Sequence, residues 1–533
     1  MNKDYPYPSK RTVVYAKNGM VATSQPLAAQ AGLDILKQGG NAIDAAIAVA
    51  AALTVVEPTS NGIGGDNFAL IWHQDQLHGL NSSGHAPESL TIEALEDKGI
   101  KEMPRFGFTP VTVPGAVAGW AKMSKKFGKL AFSEVLKPAI DYAKNGFAVS
   151  PTVAQYWKSA HKIYQSHLKG EEYSYWFETF LSDGQAPNEG DLFYLKDHAK
   201  TLEDIANTDG NSFYHGEIAD KIDAFSKKYG GYLRKSDLER YQPQWVKPIS
   251  VSYKGYNVWE IPPNGQGLVA LMALNIIEDF NFKEKEKLEV YHKQIESIKL
   301  AFADGLEYIS DPNTMQMSTD DLLSKKYAKS RAKLIAKEAE IRTFGKPNAS
   351  GTVYLATADK DGNMVSMIQS NYMGFGSGLV VPGTGIALHN RGHNFSLDSN
   401  KDNCLAPNKR PYHTIIPGFL TKGKQPIGPF GVMGGFMQPQ GHLQVVMNLI
   451  DFKMNPQSAL DAPRWQWMEG NHISVEPSVP KRIISGLISK KHLVKIEPNL
   501  GSFGRGQIII RNPKTGVYAG GTEKRADGSI AAY

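Results

Sequence analysis

Cysteine is almost missing from this 533-residue chain. Cys404 is the only one, so an internal disulfide is excluded and no thiolate cluster exists for a structural zinc. Long apolar runs are also missing. The longest, Ala45 to Val56, sits between Asp44 and Glu57 and is too short to span a bilayer. Nor is one sign of charge in excess: 59 Lys and Arg face 53 Asp and Glu, a formal net charge of +6 that makes no case for nucleic acid at this length. Lys325, Lys326, Lys329, Arg331, Lys333 and Lys337 crowd one segment, which reads as a solvated helix face. The first residues, Met1 to Arg11, carry charge but no apolar core of a secretory signal, so a cytoplasmic protein without membrane contact is expected. No Gly-x-Ser-x-Gly occurs, which removes the nucleophile elbow of serine hydrolases. The turn Asn61-Gly62-Ile63-Gly64-Gly65-Asp66-Asn67 follows a helix and lacks the glycine spacing of a dinucleotide site, so no cofactor is expected.

What is present is an ordinary globular composition, 41% hydrophobic and 21% charged. Val13 to Thr23 suggests a strand. Pro26 opens a helix with Leu27, Ala31, Ile35 and Leu36 on one face, closed by Gly39-Gly40. Asn41 caps the next helix with Asp44 three residues on, and its Ala-rich body, apolar all round, predicts a buried helix. A strand follows over Phe68 to Trp72. From Phe132 to Tyr308 amphipathic helices dominate, Tyr291 to Leu306 among them, and a charged helix is expected over Asp320 to Glu340. The breaker-rich connector Phe344 to Gly351 then suits a chain cut. Beyond it strands prevail: Val353 to Ala358, Met364 to Gln369, Gly385 to Leu388, Ile415 to Leu420 and Ile508 to Arg511. Helices around late strands predict an α+β layered sandwich.

Gly351-Thr352 carries the chemistry. If the bond before Thr352 breaks, the threonine becomes a chain terminus whose own α-amino group, with a reference pKa of about 7.7–8, can serve as base for its hydroxyl. A plain Thr opening a β-strand is the alternative. A metal-dependent hydrolase is another: His389 and His393 are four apart, as on a zinc-binding helix, but Gly392 interrupts and the expected glutamate is missing. From another class comes a scaffold protein that keeps the fold and never cuts.

Four blocks together resemble the γ-glutamyltranspeptidase family of N-terminal-nucleophile hydrolases, over nearly the whole chain. They are Gly19 to Ala28 with Gly39 to Ala46 and Glu57 to Gly65; Thr112 to Trp120; Thr352 through Gly376-Ser377-Gly378; and Pro407-Asn408-Lys409-Arg410-Pro411 with Gly431 to Gly435. The resemblance implies a four-layer αββα fold and a zymogen that cleaves autocatalytically into residues 1–351, helix-rich, and 352–533, whose two chains stay associated. It implies a hydrolase or acyltransferase of the glutathione hydrolase type, with Thr352 as nucleophile, Ser370 as a supporting hydroxyl, and the backbone of Gly434 and Gly435 as oxyanion donors. For the substrate, a small amide or γ-glutamyl-type molecule, the corresponding positions are Asn390, Arg391, Asn394, His413 and Thr414. Several depart from the family. Ser83 stands where an arginine would clamp the substrate carboxylate, Asn394 where an acidic residue would hold its amino group, and His413-Thr414 where two serines are usual. The stretch from Phe395 to Pro407 is a short lid loop. The reading is therefore acylase-like, with Arg391 able to take a carboxylate from a different direction.

Overall fold

The computed structural model describes residues 11–341 and 351–533. Two seven-stranded sheets stack face to face, and helices cover both outer sides, giving the four layers αββα. The first sheet runs, in spatial order, Ser529–Ala532, Gly19–Thr23, Gly351–Asp359, Met364–Tyr372, Asp66–His73, Gln76–Ser82 and Gln244–Val246. The second runs Val14–Ala16, Tyr518–Thr522, Arg505–Arg511, Gln425–Met433, Gly418–Lys422, Tyr256–Glu260 and Ile249–Tyr253. Every sheet neighbour in these two is antiparallel. Both sheets contain strands from before Gly351 and strands that start at or after it.

The strand that starts at Gly351 lies between Gly19–Thr23 and Met364–Tyr372, with Leu355 opposite both Thr23 and Met367. Apart from half-buried Gly351 it is buried along its length, up to the turn at Asp359. That turn is pinned by one carboxylate. Asp359 Oδ1 accepts from the amides of Asp361 and Asn363, while Oδ2 accepts from the Ala42 amide at the start of the buried helix. This helix, Ala42–Val56, has every residue buried, as its all-round apolar pattern requires. Asn41 and Asp44 form the predicted capping box, and Asn41 Nδ2 also donates to Phe127 O at 2.6 Å.

Some expected elements are redrawn. Val13 to Thr23 divides into Val14–Ala16 and Gly19–Thr23, one in each sheet, because the chain turns at Asn18, whose amide donates to Tyr533 O. The strand expected over Ile415 to Leu420 starts at Gly418; the Ile416 amide is taken by Gln438 Oε1 instead of a neighbouring strand. Only Ile386–Ala387 is extended in the stretch expected at Gly385 to Leu388. The charged helix breaks into Thr319–Leu322 and Lys325–Ala332, since Ser324 caps a new start by accepting from the Tyr327 amide. Past Ala332 tertiary bonds replace helical ones. Ala336 O accepts from His292 Nε2, Glu340 O from Lys299 Nζ, and the Ala339 amide donates to Lys490 O. Most of the connector Phe344 to Gly351 lies outside the described residues. Among the described residues, no helix is long and apolar enough to cross a membrane.

Replacing Asn41 with Ala removes the cap on the helix beneath the Gly351 strand and orphans Phe127 O. A loss of about 1–2 kcal/mol is expected, read as a lower urea midpoint at unchanged m-value.

Candidate active site

Thr352 is fully buried at an irregularity in the sheet. Gly351 pairs with Tyr372 but Val353 with Gln369, so the facing strand carries one extra residue, a bulge of the kind found beside active sites. The extra length is absorbed at Tyr372, whose φ of 72° is rare for a bulky side chain. The bulge brings three groups together. Thr352 Oγ donates to Gly351 O at 2.8 Å and lies 3.1 Å from Ser370 Oγ; Ser370 Oγ donates to the same carbonyl at 2.8 Å and accepts from the Tyr372 amide at 2.8 Å. The Tyr372 amide thus orients Ser370 so that its proton goes to the Gly351 carbonyl. A Cβ on Gly351 would meet Gly374 N, Ser60 Cα and Thr59 O at 3.0–3.1 Å, so the closeness of this turn calls for glycine.

Gly434 and Gly435 connect the strand Gln425–Met433 to the helix Met437–Ile450, with φ of 133° and 59°. Their carbonyls are tied into the helix start by the amides of Met437 and Gln438. In a trans peptide the next N–H points opposite the carbonyl, so the Gly435 amide faces away from that turn. Gln266 ties this loop to Thr414 and Tyr412. Its Nε2 donates to Thr414 O at 2.6 Å and Gly435 O at 2.8 Å, and its Oε1 accepts from Tyr412 Oη.

Arg391 lies buried over the Tyr372 ring, 4.4 Å from its centroid, and donates from Nη1 to Thr414 Oγ1 at 2.7 Å. Its Nε and Nη2 have no hydrogen-bond partner among the described residues. Burial lowers its pKa to about 10, so it is charged at neutral pH. His413 Nε2 meets Asp66 Oδ2 at 2.9 Å, and its Nδ1 accepts from the Ile415 amide. Asp66 also accepts from the amides of Gly84 and Gly115. Burial pushes its carboxyl up to about 7, against the opposing pull of Arg391. Burial, reinforced by Arg391, holds His413 well below the usual imidazole range. Asn390 accepts from the Met373 amide and donates to Arg105 O. Asn394 Nδ2 donates to Tyr412 O. Ser83 Oγ donates to Asn81, and its carbonyl accepts from Arg410 Nε, so an arginine does reach this position from another loop.

The histidine pair considered for zinc is not assembled. His389 Nε2 meets Thr112 O and His393 Nδ1 meets Met103 O, on separate contacts of a short 3-10 turn region. Among the described residues, the side chains that bring ligand atoms within 4.8 Å of one another are His292, Glu296 and His492. There the two imidazoles bond each other at 2.9 Å and Lys299 pairs with Glu296 at 2.7 Å. That group anchors the Ala336 to Glu340 segment.

Sequence reasoning did not single out Asp66, Tyr372, Gln266 or Tyr412. A charged residue closing a glycine turn was a signal for Asp66; Gln266 opens an apolar helix and offered none.

A sequence profile described as Gamma-glutamyltranspeptidase matches residues 28–533. The chain is 36% identical over 520 residues to the glutathione hydrolase-like YwrD proenzyme of Bacillus subtilis, covering 96% of this chain and 97% of that protein. It is 32% identical to the acylase ACY 1 proenzyme of Pseudomonas sp. strain V22, covering 96% and 93%. A crystal structure of cephalosporin acylase from Bacillus halodurans superposes with a TM-score of 0.98 at 61% identity, covering 100% of this chain and 99% of that one. With the αββα layers in place and these likenesses running from end to end, the chain belongs to the γ-glutamyltranspeptidase family and is an enzyme of its N-terminal-nucleophile hydrolase fold.

Proposed function

We propose that the chain cuts itself between Gly351 and Thr352 and then works as a threonine amide hydrolase or acyltransferase. The observation that carries this is the pair of hydroxyls on one carbonyl: Thr352 Oγ and Ser370 Oγ both reach Gly351 O at 2.8 Å. In the first step Thr352 Oγ attacks the Gly351 carbonyl carbon while Ser370 stabilises the developing oxyanion. The C–N bond breaks, the Thr352 nitrogen takes a proton, and an ester joins Gly351 to Oγ. Water then hydrolyses the ester, leaving a Gly351 carboxylate and a free α-amine on Thr352. The products are residues 1–351 and 352–533, held together by the shared sheets.

With the amine free, Thr352 can act on other amides. The amine accepts the Oγ proton as Oγ attacks the substrate carbonyl, and the amides of Gly434 and Gly435 receive the oxyanion. The leaving amine departs with a proton, and the acyl group passes from Oγ to water or to an acceptor amine. Asn390, Asn394, His413, Thr414 and Arg391 form the acyl side of the pocket in this reading, and the substrate is a small amide of acylase or γ-glutamyl type. The proenzyme names of the relatives support processing, and the acylase names among them support the departure from a strict glutathione site. An uncut scaffold is disfavoured, because a protein without chemistry has no need to hold two hydroxyls on the Gly351 carbonyl.

Intact mass with N-terminal sequencing tests it. The wild type should yield two chains, the smaller beginning Thr-Val-Tyr-Leu. Thr352→Ala should remain a single chain of 58.5 kDa without amidase activity; cutting or turnover in that variant refutes the nucleophile. Ser370→Ala should slow cutting by about 10²-fold, the usual loss for one oxyanion donor, in a time course of fragment appearance.

A further inference from the structure

The glycine pair proposed to receive the oxyanion has no side chains of its own to hold it, so its placing falls to its neighbours. The strand Gln425–Met433 runs into Gly434, and its pairing with Gly418–Lys422 ends at Phe430. The Val432 amide, two residues further on, is taken by a side chain instead. It donates to His442 Nε2 at 3.1 Å. His442 lies in the helix Met437–Ile450 that leaves the loop, so one imidazole ties the strand before the glycines to the helix after them. Because Nε2 accepts, the ring proton sits on Nδ1, which donates to Glu260 Oε1 at 2.7 Å. Both residues are fully buried.

Glu260 reaches the loop a second way. It closes the strand Tyr256–Glu260, and Gly267 packs on it: a Cβ there would lie 2.7 Å from Glu260 Cβ and 3.2 Å from Oε2. The residue before Gly267 is Gln266, whose Nε2 donates to Gly435 O. One buried carboxyl group therefore stands behind both attachments of the glycine pair, Val432 through His442 and Gly435 through Gln266. We propose that Glu260 and His442 are positioning residues for the amides of Gly434 and Gly435, needed for substrate turnover and not for self-cutting. This rests on the proposed function, in which the oxyanion of the cutting step forms on the Gly351 carbonyl and is met by Ser370 rather than by the glycine pair.

An oxyanion hole works through donors fixed in advance where charge will develop, and a misplacement of about 1 Å can cost 10²-fold in rate. Without the His442 acceptor, the Val432 amide is left unpaired in a buried strand end and must find another partner. The last two residues before Gly434 then lose their fixed position. Charge on Glu260 is not what the arrangement needs. Burial pushes its carboxyl up, against the opposing pull of His442, and Oε1 accepts from Nδ1 whether or not Oε2 carries a proton. An amide oxygen in the same place would serve. The side chain at 442 is more demanding, since it must reach Val432 with an acceptor while offering Glu260 a donor.

The experiment follows self-cutting by fragment appearance and turnover by hydrolysis of p-nitrophenyl acetate, an activated ester whose acetyl group asks little of the acyl pocket. His442→Asn keeps a donor for Glu260 but falls short of Val432; it should cut at close to the wild-type rate and lose about 10²-fold in kcat/KM. His442→Gln, whose oxygen reaches the place of Nε2, should recover most of that loss. Glu260→Ala should behave like the asparagine variant, and Glu260→Gln should keep most of the wild-type rate. Amide hydrogen exchange should rise over residues 432–435 in the two damaged variants and stay unchanged over residues 351–372, a pattern that a general loss of packing would not give. A cut His442→Asn enzyme with wild-type ester hydrolysis, or cutting and hydrolysis that fall by the same factor, overturns the positioning role and leaves the nucleophile standing. A wild type that stays uncut, or is cut and inert to the ester, overturns the proposed function instead. Exchange over residues 432–435 then decides the anchoring alone: a rise in His442→Asn supports it, and no change ends it.

Discussion

In the proposed function the nucleophile is also a chain end, so it must be held by something other than the chain before it, and the sheet is placed to do this. The strand from Gly351 is paired on both sides, by Gly19–Thr23 and Met364–Tyr372, and its far end is fixed by Asp359 to the helix Ala42–Val56. Cutting one peptide bond leaves these contacts in place. Other bonds also cross the cut in sequence: Arg505 to Glu57, Thr152 to Asp527, His292 to His492 and Lys299 to Asn471. Each joins a residue before Gly351 to one after it. The cut can therefore change the chemistry of Thr352 without releasing either segment.

Local irregularity then converts a plain strand into a site. A regular ladder would place the Thr352 and Ser370 side chains according to pairing alone. The extra residue opposite Thr352 and the positive φ of Tyr372 turn the Ser370 hydroxyl onto the Gly351 carbonyl. A bulky residue in that backbone region costs about 1–3 kcal/mol, which the surrounding sheet can bear. The strain sits at Tyr372, directly across the sheet from the bond proposed to break.

The legibility of the molecule in its sequence follows the range of the interactions involved. Asn41 with Asp44, the buried Ala-rich helix and the strand from Thr352 depend on neighbours within a turn or on an apolar pattern, and they were readable. The early stop of the charged helix was not. His292, Lys299 and Lys490, distant in sequence, take the backbone groups that a longer helix would have used. In the site the same division holds. Thr352 and the glycine pair were visible through the family's motifs, and Arg391 through its residue type. Gln266 and Tyr372 matter for what they bridge, and a bridge between remote loops leaves no local pattern.

Tyr372 links the Gly351 carbonyl to Arg391. Its amide fixes Ser370 against Gly351, and its ring is the surface on which Arg391 lies. Moving its backbone would disturb both at once. In the proposed function, substrate charge is retuned by side chains that leave this backbone alone, and Ser83, Arg391, Asn394 and His413 are of that kind. On this view the departures from the family's clamp residues do not mark a decaying site. In the proposed function they mark the positions where the acyl group can change while the geometry around Gly351 and Thr352 is kept.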